Sequence, residues 1–526
     1  MTDPRRLPGL DESFWMDSTD SAPHGPLTED IEVDVAVVGG GIAGLSTAWE
    51  LARAGRTVAV LEADRIAAGV TGYTTAKISA LHSLVYDQLQ KTRGAEGARL
   101  YATSQQDAVE RVAGIVDELG IACDFERAAA YSYAVTPSSA EKLRAETHAA
   151  IEAGLPVTYG TETGLPYPVT GALRLDGQAQ FHPRKYLLAL ADDLVRRGGR
   201  VFERSRVTGL SEGTPCRVTT EAGRTVTAGD VVVATHYPVF DRALLFTRLS
   251  TRRELVVAAP IAADLAPKGM YITEDEGKRS VRSTPLDEGR RLLVITGESF
   301  TPGTGNPSES YLRLDAWMRE RFPVEATAYR WAAQDNDPTD TVPLVGPLHA
   351  GARHTYVATG FGGWGMTGGV LASRLLTALI TGGTLPWAGL YDPRRLKSAL
   401  REAPAFLGQQ LEVAKHFAGD RLRTAHVDTV EEIAPGTGAV VRVKGRRCAV
   451  YRDPEGAATV VSARCTHLGC LVSFNEAETA WECPCHGSRF GVDGSGGPGG
   501  GGRAPGGRGG GDGPGAARPP PPPPGR

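Results

Sequence analysis

The amino-acid sequence predicts an α/β protein that opens on a βαβ unit and closes on a small all-β module. Three observations carry this reading. A β-branched run, Val33 to Val38, meets a glycine loop and then a helical pattern. A second passage from strand to glycine loop to helix recurs late, at 355–380. Past Val427 the pattern changes to short β segments separated by turns.

Taken in order, residues 33–38 read as a buried strand and Ile42 to about Ala54 as a helix closed by Gly55. Residues 57–61 are the next strand, ending on Glu62, which completes the βαβ unit. Helices are expected over 97–119, over 139–153, and from His182-Pro183 to about Arg197. Strands are expected over 229–235 and 355–359, with a helix following to about Ile380. The late β segments fall at 439–443, 447–451 and 458–462. These elements divide the chain into a polar N-terminal extension (1–32), a main domain (33–390), a helix-bearing linker (391–430) and a second domain (431–494). Residues 495–526 form a Gly/Pro-rich tail with no side chains able to build a core, expected to be disordered.

The chain has 526 residues, of which 41% are hydrophobic and 22% charged, an ordinary globular balance. A formal net charge of −4 offers no basic surface for nucleic acid or an anionic membrane. No run approaches the ~18 apolar residues of a membrane-spanning helix. Arg5-Arg6 is not followed directly by an apolar stretch, so no secretory signal is read there and a soluble, cytoplasmic protein is expected.

Gly39-Gly40-Gly41-Ile42-Ala43-Gly44 fits G-x-G-x-x-G between a strand and a helix. The first glycine permits the tight turn, the second lets backbone approach a pyrophosphate, and the third lets the helix pack on the sheet. The unpaired N–H groups of the helix start then face the phosphates. Glu62 can accept hydrogen bonds from ribose hydroxyls and would repel a 2′-phosphate. The fingerprint by itself serves FAD or NAD equally. It occurs once, so a second site for NAD(P)H is not evident, and the reductant is expected to be an organic substrate. The stretch from Gly360 to Gly369 favours FAD, with Gly360, Gly365, Met366 and Thr367 as contacts. Such a loop can set backbone N–H groups against a flat ligand and aim a helix start at the negative edge of a reduced flavin. The plainer reading of that stretch is a flexible glycine loop.

These residues resemble the glycine/D-amino acid oxidase family of flavoproteins. The resemblance runs from about Asp34 to Leu390. It rests on the Gly39 fingerprint with Glu62, on Gly69 to Lys77, on Val231 to Thr235, and on the Gly360–Gly369 loop. It implies a Rossmann-like FAD-binding domain interleaved with a substrate domain on an antiparallel sheet. It also implies oxidation of a C–N bond by hydride transfer to flavin, with a small-molecule amine or amino acid as substrate. Thr71, Gly72, Thr74 and Thr75 would run along the pyrophosphate and flavin. Arginine and tyrosine usually hold the substrate carboxylate in this family. Tyr271, Arg282 and Arg330 are the candidates here, with Gln180 and His182 as further pocket groups. Each has a plainer reading as a packing or surface residue, and His182-Pro183 also suits the start of a helix. Lys77 either faces the flavin or is a solvated helix residue.

The seven cysteines are Cys123, Cys216, Cys448, Cys465, Cys470, Cys483 and Cys485. The last four crowd into 465–485 beside two histidines, which reads as a metal site rather than a disulfide framework. Cys465-Thr466-His467 and Cys483-Pro484-Cys485-His486 each offer one thiolate and one imidazole. Cys465 and Cys483 can take one iron of a [2Fe–2S] cluster, and His467 and His486 the other. The alternative is structural zinc, whose boxes more often read C-x₂₋₄-C. From about Ala439 to Gly494 the pattern resembles the disulfide-bearing Rieske proteins, which implies a disulfide between Cys470 and Cys485. One departure stands out. Rieske domains continue past the second box with a glycine-proline loop and closing strands. From Asp493 onward this chain has no strand-forming residues, and the small sheet is expected to lose pairing partners and a cover over the cluster.

Three functional readings follow. The first is an amine or amino-acid dehydrogenase that passes electrons from FAD through the cluster to an acceptor, O₂ or a redox protein. The second is an oxidase reoxidised by O₂, with a structural or regulatory cluster. The third is a redox sensor or electron carrier without turnover.

Overall fold

The computed structural model describes residues 7–240, 245–275, 277–395, 429–443, 445–466, 469–485 and 487–496. Most of the linker expected over 391–430, the tail from 497 on, and His467 and His486 lie outside the described residues.

Strand β1 (Ile31–Val38) alternates buried and exposed over its first half, then is buried throughout. That is the pattern of a parallel strand covered on both faces. It leads into helix α1 (Ile42–Arg53) and strand β2 (Val58–Leu61), which pairs parallel with β1 in the register Val35↔Val58. Strands β3 (Arg200–Phe202) and β4 (Thr225–Val233) join them. Further along come β5 (Leu249–Ala262), β6 (Tyr329–Pro338), β7 (Leu344–Pro347), β8 (Thr355–Thr359) and helix α2 (Gly365–Ile380). One eight-stranded sheet has the order β7-β8-β4-β1-β2-β3, with Cys216–Thr220 also paired to β4 and Val207–Ser211 beyond it; β7 and these two strands run antiparallel and the rest parallel.

A second, ten-stranded sheet is interleaved with the first in sequence. It runs from Leu10–Asp11 through β6, β5, Arg290–Phe300, Ser280–Asp287, Met270–Thr273, Glu126–Ala134 and Gly171–Gln180 to Lys77–Ile78, with Val157–Gly160 also paired to Gly171–Gln180. Its long central strands are antiparallel. The C-terminal module is two three-stranded antiparallel sheets, one from Gly438–Val443, Arg446–Arg452 and Ala458–Ser462, the other from Ser473–Asn475, Ala480–Glu482 and Arg489–Phe490. The architecture is the α/β domain with interleaved antiparallel sheet and small all-β module that the sequence predicted.

Three local departures have physical causes. The helix expected over 97–119 runs from Val85 to Leu119, with a break at Gly94 (φ 76°). The glycines there suggest a stop, but burial of Tyr86 and Leu89 holds the earlier turns in place. Helix α2 begins inside the glycine stretch, so Gly368 and Gly369 are helical. A Cβ at Gly369 would lie 2.7 Å from Ile42 Cγ2, so this glycine lets α1 and α2 cross closely. The polar extension is also part of the fold. Leu10–Asp11 pairs with β6, and Phe14, Trp15 and Met16 are buried.

Candidate functional site

The starts of α1 and α2 converge on one cavity of about 930 Å³, near the upper end of the ~300–1,000 Å³ typical of small-molecule sites. Gly39, Gly41, Ile42 and Ala43 line it, as do Glu62, Thr71, Thr74, Thr75 and Lys77, and then Gly365 and Met366. Gly39 has φ 115°, and a Cβ there would collide with the Ala234 carbonyl oxygen. Glu62 Oε2 accepts from Gly40 N (2.6 Å) and Oε1 from Asp64 N (2.9 Å), so the carboxylate pins the loop; burial raises its pKa.

Gly44, Gly72, Gly360 and Thr367 shape the cavity without being among its described lining residues. A side chain at Gly44 would strike Gly39, and one at Gly72 would strike Ala67. Gly360 turns at φ 73° against Leu249. Thr367 Oγ1 accepts from Ser79 N (2.9 Å) and donates to Ser79 O (3.0 Å). Gly41 and Trp364, the N-caps of α1 and α2, make no side-chain capping bond. Both helices therefore present N–H groups and the positive end of a dipole to the cavity. Glycines that a Cβ would jam, two uncapped helix starts and a long cavity fit a dinucleotide such as FAD.

The segment carrying Thr74 and Thr75 is held from behind by its carbonyls. Trp331 Nε1 donates to Tyr73 O (2.8 Å), Trp15 Nε1 to Thr74 O (2.7 Å), and Arg282 Nη1 to Thr75 O and Ala76 O (both 2.8 Å). Arg282 is buried against the Trp15 ring, and burial lowers its pKa to about 9. It is a brace for the backbone rather than a wall of the cavity. The other sequence candidates are likewise engaged elsewhere. His182 caps its helix by accepting from Lys185 N, packs on Trp15, and is driven to a pKa of about 3 by burial. Gln180 donates to Glu126 and to Ser283 O. Tyr271 stacks on Tyr131 and donates to Thr163 O. Arg330 donates to Gly9 O (2.5 Å). None of the five is among the described residues lining the cavity. Lys77 does line it, with Nζ on Ser280 Oγ and near the Trp364 ring, and burial lowers its pKa to about 8.

The charged wall that sequence reading missed comes from β5 and β6. Arg252, Glu254, Asp335 and Asp337 all line the cavity. Arg252 pairs with Glu254 and, at 2.6 Å, with Asp337. Burial raises Asp335 to about 6, opposed by the nearby Arg252 and raised further by Glu254. Three carboxylates thus surround Arg252, with Lys77 as a second cation near Glu254. The signal was the period-2 charge in Arg252-Arg253-Glu254 and Asp335-Asn336-Asp337, which on a strand puts alternate residues on one face.

The neighbours Arg253 and Gln334 pair across the same strands and point the other way, into the C-terminal module. Arg253, 1% exposed, bridges Glu482 and, at 2.7 Å, Glu478; Arg489 reaches Glu478 at 2.5 Å. In the module, two loops have the same hydrogen-bonded form. Cys465 N donates to Cys470 O (2.8 Å) and Gly469 N to Cys465 O (3.0 Å). Cys483 N donates to Ser488 O (2.8 Å) and Gly487 N to Cys483 O (3.0 Å). Gly469 and Gly487 sit at φ 74° and 70°, which explains the glycine at the same step of each box. Cys465 and Cys483 are buried at 3% and 1% exposure. Cys470 and Cys485 form the disulfide that ties the loops together. The sulfurs of Cys470, Cys483 and Cys485 lie within 4.8 Å of one another, but two of them are consumed by that disulfide. Two matched loops, each with a buried cysteine outside the disulfide, fit a cluster held between them. A cover comes from an unforeseen source: a Cβ at Gly487 would lie 2.5 Å from Thr251 Cγ2 and 3.1 Å from Gln334 Nε2, on β5 and β6.

Comparison with known proteins matches residues 34–379 to the DAO family model, FAD dependent oxidoreductase, and residues 424–498 to the Rieske [2Fe-2S] domain. The chain belongs to the DAO family of FAD-dependent oxidoreductases. It carries a C-terminal Rieske domain, and its cofactors are FAD and a [2Fe–2S] cluster. A Bacillus subtilis (strain 168) chain, YhfW, whose name labels it a Rieske 2Fe-2S iron-sulfur protein, is 34% identical over 92% of this chain and 94% of its own length. Gamma-glutamylputrescine oxidoreductase of Escherichia coli (strain K12) is 28% identical over 69% of this chain and 86% of its own. Glycine oxidase from Geobacillus kaustophilus shares the fold, with a TM-score of 0.57 at 20% identity over 69% of this chain and 99% of its own. This DAO-family protein is therefore an enzyme of the amine or amino-acid oxidase type. Among the described residues, no helix is long and apolar enough to cross a membrane.

Proposed function

We propose that this enzyme oxidises the C–N bond of a small amine and passes the electrons, one at a time, to its Rieske cluster. One observation carries the proposal: the second cluster box packs on the far face of the two strands, β5 and β6, whose near face lines the flavin cavity. A single sheet layer, on the order of 10 Å thick, then separates the two redox centres. Bound FAD supplies the hydride acceptor.

The wall residues select and orient the substrate. Arg252 is already committed to carboxylates and is poorly suited to a substrate carboxylate. The carboxylate excess around it, with Asp335 ionised above pH about 6, favours a cationic amine end. Asp335 can then take the ammonium proton, since oxidation needs the neutral amine. Loss of hydride from the α-carbon and of a second proton from nitrogen leaves an imine, which water hydrolyses to a carbonyl compound and ammonia or a smaller amine. The two electrons leave through the cluster to a one-electron acceptor protein.

The test measures hydrogen peroxide per amine oxidised, in wild type and in His486→Ala, with a one-electron acceptor protein supplied. The proposal expects little peroxide from wild type and a stoichiometric yield from the variant. Equal turnover with stoichiometric peroxide in both would instead support an oxidase with a structural cluster.

A further inference from the structure

We propose that His236 is the contact that couples the flavin cavity to the cluster, acting through Gln334 and Asn336 on β6 and Thr251 on β5; this rests on the proposed flow of electrons from flavin to cluster. His236 follows β4 in the turn Ala234-Thr235-His236-Tyr237 and lines the cavity. Its φ of 63° lies in the left-handed region, which costs a non-glycine residue energy and calls for a compensating reason.

Two routes lead from this one residue through the sheet, each a hydrogen-bonded start that ends in a packing contact. In the first, the ring bonds the Gln334 backbone, and the Gln334 side chain meets Gly487 on the far face. In the second, the His236 carbonyl accepts from Asn336 Nδ2 (3.4 Å), and Asn336 Oδ1 accepts from Thr251 Oγ1 (2.9 Å). Thr251 Cγ2 is the other atom against Gly487. Thr359 Oγ1 also donates to the His236 carbonyl (2.5 Å) and fixes the turn. Both routes end at the glycine that follows His486 in the second cluster box.

The remaining ring atom is unpaired. His236 Nε2 is shut from solvent and has no hydrogen-bond partner among the described residues. Such an atom is rare in a folded protein and calls for an explanation, and a polar atom of a bound flavin would satisfy it. Burial lowers the ring's pKa to about 4, so at neutral pH the imidazole is uncharged and free to accept such a bond.

The step being coupled balances simply. Two electrons leave the reduced flavin singly, each converting one Fe(III) of the cluster to Fe(II). The second follows once an acceptor protein has discharged the cluster, and the released protons go to water.

The test uses the full chain loaded with FAD and cluster. The flavin is reduced by light with EDTA as the sacrificial electron donor, without oxygen or substrate, and the cluster is followed by rapid-freeze EPR. The variants are His236→Asn, because asparagine tolerates the left-handed backbone, and Gln334→Ala, whose side chain lies on the module face. Flavin absorbance and the dithionite-reduced EPR spectrum report that both cofactors are in place. We expect cluster reduction to slow in His236→Asn on the order of tenfold or more, about 1.4 kcal/mol of barrier per factor of ten. A smaller slowing is expected in Gln334→Ala. Wild-type rates in either variant with both cofactors intact would overturn the assignment. If His236→Asn loses its flavin, Gln334→Ala alone decides, and a wild-type rate there overturns it. A wild-type protein whose cluster never reduces would instead remove the proposed electron flow, and this inference with it.

Discussion

Arg252 and Arg253 are adjacent, both salt-bridged, and face opposite sides of one sheet. On the cavity side, Arg252 and Lys77 stand among Glu254, Asp335 and Asp337, two cations to three carboxylates at an open wall. On the module side, Arg253 and Arg489 meet Glu478 and Glu482, two cations to two carboxylates in a closed contact. Burial pushes the Glu478 carboxyl up, and the two guanidiniums outweigh it and hold it low. Asn475 Nδ2 and Gly303 N add donors to Glu482 at 3.0 Å each. A charge-balanced cluster holds two surfaces together. An unbalanced one facing a cavity has charge to spare for a ligand. The same strands therefore do both jobs, and they do so by alternation alone.

The strongest way to break this comparison is Arg253→Ala. It leaves two buried carboxylates with Arg489 as their one remaining partner cation, and the expected loss is about 3–5 kcal/mol of stability, read from denaturant unfolding. A loss below 1 kcal/mol would mean that the contact is loose or wet. Next comes the disulfide. Cys470→Ser with Cys485→Ser opens a link spanning 15 residues and should cost about 3 kcal/mol. The cluster EPR signal should then be lost at lower temperature while the flavin stays bound. On the cavity side, Glu62→Ala removes the acceptor that holds Gly40 at the cavity wall. FAD affinity should fall by about 1.5–3 kcal/mol, roughly ten- to a hundredfold, and a mutant purifying with full flavin would contradict the site. The smallest effect sharpens the charge argument. For an amine substrate, kcat/KM should rise as pH passes about 6, because Asp335 is a neutral acid below that value and a carboxylate above it. Asp335→Asn should flatten that limb and lower kcat/KM at pH 8 about tenfold, the worth of one charged hydrogen bond of ~1.5 kcal/mol. An unaltered limb would assign the titration to another group.

Local chemistry was legible in the sequence wherever a residue type is forced by backbone geometry. Gly39 and Gly44 must be glycine because a side chain would strike the neighbouring turn, and the cysteine boxes repeat the same glycine step because each turns at positive φ. Strand Thr355–Thr359 was placed to the residue because its run is β-branched and bounded by glycine. Illegible were the contacts that only the tertiary fold creates. Arg282 and His182 look like pocket residues in one dimension, yet they brace the 73–76 carbonyls and cap a helix, because Trp15 folds back from the N-terminal segment to enclose them. Nothing local marks that segment as part of the cradle. The lack of closing strands after Asp493 pointed to an uncovered cluster. Thr251 and Gln334 pack against the second box at Gly487 from more than a hundred residues upstream, a pairing no local pattern carries.

The most direct test is the distance from iron to flavin in the loaded protein, from a crystal structure using the anomalous signal of iron. The account predicts the cluster against the far side of Thr251 and Gln334, on the order of 10–15 Å from the flavin ring, one sheet layer away. A cluster more than about twice that far, or a module docked on another face, would contradict it.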